Sequence, residues 1–95
     1  MAFNFKILTQ RQKDKVHLFP RGELDGSSAF ELIDAIRRCT RRVDRIIVHT
    51  GGLKAIHPFG VEIFHRGFPH PVLGRLPVRF IGRNAHQIIP NTQER

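Results

Sequence analysis

The sequence predicts an α/β sandwich: a mixed four-stranded sheet with helices packed on it, in the order ββαβαβα. Three observations carry this. Two short segments near the N-terminus alternate apolar and polar residues, the period of a half-buried strand. Two later segments place apolar residues at helical spacing behind start signals. A β-branched run, Ile46-Ile47-Val48, lies between those helices and reads as a central strand. With 95 residues the chain makes about one domain, residues 1–95, and no linker or repeat divides it.

The elements follow in order. Phe3-Asn4-Phe5-Lys6-Ile7 alternates as a strand, and Gln10 to Lys15 is a polar turn. Val16-His17-Leu18-Phe19 is a second strand, which Pro20 stops or places near an edge. Arg21 to Gly26 reads as a loop. Ser28 and Glu31 have the spacing of a capping box, with Ser28 as the N-cap. Ala29, Leu32, Ile33, Ile36 and Cys39 then form the apolar stripe of a helix. Ile46 to Val48 reads as covered on both faces, parallel to its neighbour, with the first helix as a right-handed crossover. Gly51-Gly52 ends it.

Pro58-Phe59-Gly60 opens a second helix that runs to about Arg66, and Gly67 fits its end. Pro69, Pro71, Gly74 and Pro77 make a loop. Val78 to Gly82 is the last strand. Asn84 caps a short helix over Ala85, Ile88 and Ile89, which Pro90 halts, and residues 90–95 read as a frayed tail.

Charge is the unusual feature. Sixteen Lys and Arg against eight Asp and Glu leave a formal +8. Such a balance points to nucleic acid, an anionic lipid surface or an acidic protein. Arg37, Arg38, Arg41, Arg42 and Arg45 supply five of the sixteen cations. The helix C-terminus there favours cations through its partial negative charge, so the block has a structural reason. As a functional element it would be an anion-binding site. No nucleic-acid motif or interleaved aromatic pattern accompanies it, so nucleic acid is not the expected partner.

Other chemistry is sparse. Cys39 is the single cysteine, which excludes an internal disulfide framework and suits a reducing compartment. It sits on the apolar stripe and reads as an inert buried thiol. The six histidines match no zinc spacing. Glu62 and His65 share a helix face and His70 follows, yet a metal needs three or four convergent ligands. His49 and His57 flank a loop and are the pair expected to respond to pH. Ser27 and Ser28 read as capping residues before phosphorylation sites. No signal peptide or transmembrane stretch is read. The expectations are a cytoplasmic protein with no cofactor, no metal and no enzymatic activity.

Two segments resemble the STAS domains, the family of anti-sigma-factor antagonists and sulfate-transporter cytoplasmic domains. Gly22-Glu23-Leu24-Asp25-Gly26-Ser27-Ser28-Ala29-Phe30-Glu31-Leu32 is similar to the family's glycine–x–leucine–aspartate turn and following helix. Arg45 to Val61 fits, without a gap, its central strand, loop and aspartate–serine–serine–glycine helix start. The resemblance spans about Phe3 to Ile89.

It implies a domain that binds other proteins through the second helix's start: an anti-sigma-factor kinase, a sensor complex or a transporter ATPase. Asp25 matches the family's acidic turn residue. The phosphorylated serine is matched by Pro58, which has no hydroxyl. The second serine is Phe59, the preceding aspartate is His57, and only Gly60 is retained. The aspartate that ends the central strand is His49. Phosphorylation switches a surface by adding about −1.5 to −2 charge, and Pro58 cannot take it. The expected contact surface is Asp25, His57, Pro58, Phe59, Gly60 and Val61, with Phe59 as an aromatic anchor.

Overall fold

The computed structural model describes residues 5–39, 43–67 and 78–88. Eight elements occur there: β1 (Lys6–Gln12), β2 (Lys15–Leu24), α1 (Gly26–Arg38), β3 (Arg45–His49), β4 (Leu53–Ile56), α2 (Pro58–Gly67), β5 (Val78–Ile81) and α3 (Ala85–Ile88). A turn of 3₁₀-helix over Thr50–Gly52 joins β3 to β4. The strands make one mixed sheet in the order β1-β2-β3-β5. β1 and β2 form an antiparallel hairpin, while β3 is parallel to both β2 and β5.

The short β4 makes the sheet five-stranded. It pairs parallel with the end of β2, from Gly22↔Leu53 to Leu24↔Ile56. Its four residues follow a glycine pair and alternate too briefly to be read as a strand. β2 is correspondingly longer than expected and runs through Pro20 instead of stopping there. Pro20 falls between the last β3 pair, Leu18↔Val48, and the first β4 pair, Gly22↔Leu53. Its missing N–H therefore interrupts neither parallel ladder.

β1 also differs from its expected span. It reaches Gln12, and the hairpin turns on Lys13 and Asp14, with Lys13 at φ 56. Phe3 and Asn4 lie outside the described residues, and Phe5 is buried in the core. The expected loop at Pro69, Pro71, Gly74 and Pro77, Ile89 of the expected last helix, and the tail 90–95 also lie outside them.

All three described helices serve one face of the sheet. Leu32, Ile33 and Ile36 of α1, Phe64 of α2 and Ile88 of α3 join Val16, Leu18, Ile46, Val48 and Phe80 in a single core. Each such side chain contributes about 1.5–3 kcal/mol on burial. Phe64 meets Phe80 edge-on, with centroids 5.7 Å apart. The expectation that β3 is covered on both faces is therefore corrected. Ile46 and Val48 are buried, but Ile47, on the other face, is only half-buried. A continuous β-branched run does not show which face carries helices; Arg45 and His49 on either side were the cue that one face is polar.

Candidate functional site

The start of α1 is capped one turn earlier than expected. Asp25, not Ser28, is the N-cap, and Ser28 is the third helical residue. The Ser28 amide donates to Asp25 Oδ1 at 2.9 Å, and the Asp25 amide donates to Ser28 Oγ at 2.7 Å. Ser28 Oγ also donates to the Glu23 carbonyl at 2.7 Å, and Ser27 Oγ donates to Asp25 Oδ1 at 3.0 Å. The reciprocal box is real but belongs to Asp25 and Ser28. Several polar residues stand side by side here, and helical spacing alone does not choose among them. The Ser28 amide and the two serine hydroxyls hold the Asp25 carboxyl down at about 2, from an ordinary 3.8. Ser28 is fully buried. Its hydroxyl is thus committed to holding the turn.

The start of α2 lies beside this turn. The His57 amide donates to the Leu24 carbonyl at 3.0 Å. His57 Nε2 lies 3.2 Å from Glu23 Oε1, on the surface. Gly60 is buried, and a β-carbon there would stand 2.5 Å from the Leu24 oxygen and 2.9 Å from Asp25 Cα. The close approach of α2 to the β2–α1 turn thus requires glycine at this point. Gly60 is a packing residue, which removes it from the expected contact surface.

Phe59 is the opposite case. It is 64% exposed, and its ring lies over Gly26. Phe30, four residues after Gly26 on the same helix face, is 60% exposed. Pro58 and His57 are exposed and Val61 is half-buried. The structure therefore groups Asp25, His57, Pro58 and Phe59 at one end of the α1–α2 layer and adds Phe30. Phe30 was legible as an apolar residue off the Ala29–Leu32–Ile33–Ile36 stripe, since helical spacing turns it outward.

The arginine block does not form one site among the described residues. Arg37 and Arg38 are exposed at the end of α1, where Arg38 pairs with Asp34. Arg45 starts β3 on the face opposite Ile46. Arg41 and Arg42 lie outside the described residues.

The histidines are dispersed. His17 Nδ1 and His49 Nε2 share a hydrogen bond of 2.9 Å, so one ring donates and the other accepts. Burial, then the neighbouring His17, pushes the His49 pKa below 6.5. His49 is thus tied to His17 and not to His57. His65 Nε2 lies 2.9 Å from the Ile88 carbonyl and fastens α3 to α2. Glu62 pairs with Arg66, not His65, and His70 is outside the described residues. No cluster of three metal-ligating side chains occurs among the described residues. Burial raises the Cys39 thiol above its ordinary 9.0, against the pull of Arg11 and Arg38, so it is no ready thiolate at neutral pH.

Comparison with solved structures identifies the fold. A STAS-domain antisigma-factor antagonist from Rhodobacter sphaeroides superposes with a TM-score of 0.65 at 18% identity, over 92% of this chain and 97% of that one. The anti-sigma factor antagonist SpoIIAA in its unphosphorylated form gives 0.59 at 16% identity, over 88% and 76%. A protein described as Mglu gives 0.67 at 16% identity; it matches 79% of this chain, which spans about a fifth (19%) of its length. No protein-family model matches the chain, and no curated protein matches it. The fold is STAS-like, as the two sequence segments implied. No helix among the described residues is long and apolar enough to cross a membrane.

Proposed function

We propose that this protein is a non-enzymatic, regulatory protein-binding module whose contact surface is the joined start of α1 and α2. Phe59 carries the reading. A large aromatic ring held 64% exposed at a helix start is a ready interface anchor. Phe30, one turn along α1 from the Gly26 that the ring covers, is a second exposed aromatic, and Asp25 and His57 supply the polar rim. The STAS-like fold supports the choice of surface, because the resemblance places its partner contacts at this helix start.

The partner would be an anti-sigma-factor kinase, a sensor complex or a transporter ATPase, in the cytoplasm. With Pro58 and Phe59 in place of the serines, binding here would not be switched by phosphate on this loop. The test is quantitative capture from the source cells with wild-type protein and with Phe59→Ala and Phe30→Ala as baits. Partners held by wild type should fall at least tenfold on both variants. An unchanged set of partners would sink this surface. Phosphohistidine at His57, the one residue of 57–60 able to accept a phosphoryl group, would sink the unswitched character.

A further inference from the structure

The face of the sheet away from the helices carries a second arrangement, independent of the α1–α2 surface. Strand alternation turns Leu8, His17, Phe19, Ile47, His49 and Ile81 to this side. Leu8 is 52% exposed. Phe19 and His49, on neighbouring strands, stack with centroids 4.2 Å apart and planes 11° from parallel. His17 continues the row, 6.3 Å from Phe19 at 20°.

Cations ring this strip. Lys6 on β1, Lys15 and Arg21 on β2, Arg45 on β3 and Arg79 on β5 alternate onto the same face and are exposed, and Lys54 of β4 lines its groove. None of these six enters an ion pair among the described residues. On the helical side, by contrast, Arg38 and Arg66 are paired with Asp34 and Glu62. Among the described residues, carboxylates reach this face only at its ends. Glu23 stands beside His57, and Asp14 and Asp44 meet at the hairpin end.

Two adjoining concavities of about 450 Å³ each cross this face and share Leu8, Arg21 and Gly52. One is lined by Phe19, His49 and Ile81, the other by Lys6 and Lys54. An apolar floor thus adjoins one edged by Lys6, Arg21 and Lys54.

We propose that this sheet face, which no described helix covers, binds single-stranded nucleic acid, with bases against the Phe19–His49 stack and phosphates on the surrounding lysines and arginines. Base–aromatic stacking in a basic groove is the chemistry by which such strands are held without sequence preference. Strands at about 4.8 Å spacing make β1 to β5 about 14 Å wide. Unpaired cations spread over that width match a chain of phosphates better than one anion. A duplex would need an element that enters its groove, and this face projects none among the described residues. A bilayer would need a continuous apolar surface, whereas here the exposed Leu8 and Ile81 and the half-exposed Phe19 are set among exposed cations.

The experiment is fluorescence anisotropy of the full chain with labelled twelve-nucleotide poly-U and poly-dT, the matching duplex, and vesicles of neutral and anionic phospholipid. The single strands should bind at low salt and weaken steeply as salt rises. Phe19→Ala should cost about tenfold. Arg21→Gln and Arg79→Gln should each weaken binding and flatten the salt slope by about 0.7. Both arginines are exposed, so they carry the test if Phe19→Ala fails to fold. Arg38→Gln, Arg66→Gln and Phe59→Ala, on the helical side, should change nothing, which separates this site from the protein-binding surface. No single-strand binding at low salt, tighter binding of duplex or vesicles, or equal loss in the helical-side variants would overturn the proposal.

Discussion

The ring of Phe59 rests on Gly26 so closely that a β-carbon at position 26 would stand 2.9 Å from its Cε2 atom. Two helices whose starts are 32 residues apart in sequence thus present one surface, and the absence of a side chain at Gly26 sets where the ring lies. Gly26→Ala should push the ring outward. The ring is the movable end of an exposed side chain, and alanine suits a first helical turn better than glycine. The expected outcome is an unchanged or slightly raised melting temperature together with weakened capture of the wild-type partner. Loss of stability without loss of capture would contradict it.

Gly60 behaves differently because backbone surrounds it. A β-carbon there meets the Leu24 oxygen and Asp25 Cα, neither of which can swing away. Gly60→Ala should destabilise by roughly 1–3 kcal/mol, as overpacking does. Chemical denaturation would show a lower midpoint at an unchanged slope. A midpoint equal to wild type would mean that α2 can slide on the β2–α1 turn.

Asp25 ties folding to acid. Its carboxyl is held at about 2, below the ordinary 3.8, so the fold favours the ionised form. This contribution is present above pH 4 and is lost as pH falls through about 2. Asp25→Asn retains an N-cap without the charge. It should lose less melting temperature than wild type between pH 4 and pH 2, while Asp25→Ala should fall by about 5 °C at neutral pH. Parallel pH profiles for wild type and Asp25→Asn would refute the assignment.

His49 gives a second pH window, of the same sign. Burial and the neighbouring His17 lower its pKa, so the unfolded chain takes up the proton more readily than the fold. Stability from this position is full above about pH 6.5 and declines as pH falls through the lower folded value. His49→Gln should reduce the difference in urea midpoint between pH 7.5 and pH 5.5. An equal difference in the variant would place the effect elsewhere.

Much of the fold was legible as pattern. The stripe Ala29, Leu32, Ile33 and Ile36 is buried as its spacing required, because a helix puts those positions on one side wherever it docks. The Pro58 helix start, the β-branched β3 and the order of every element but β4 were equally readable. The site was legible in part. Position Phe59 could be named, but not whether its ring faced the core, since the same residue suits both. The cap on Asp25 and the fifth strand were not legible. Hydrogen bonds chose Asp25 among four neighbouring polar residues, and pairing with β2 defined β4.

By itself, the sequence determined which residues could form helices and strands, where α2 begins, and that Pro58 and Phe59 at that start carry no hydroxyl. These follow from local geometry and covalent structure. Only the tertiary structure decided that, among the described residues, three helices cover one face of the sheet and leave the other to Phe19, His49 and six cations without an ion pair. It also placed Phe59 on Gly26 and sealed Gly60 against Leu24. The reason is that alternation sorts a strand's residues into two sets, but only packing against other elements chooses which set meets water.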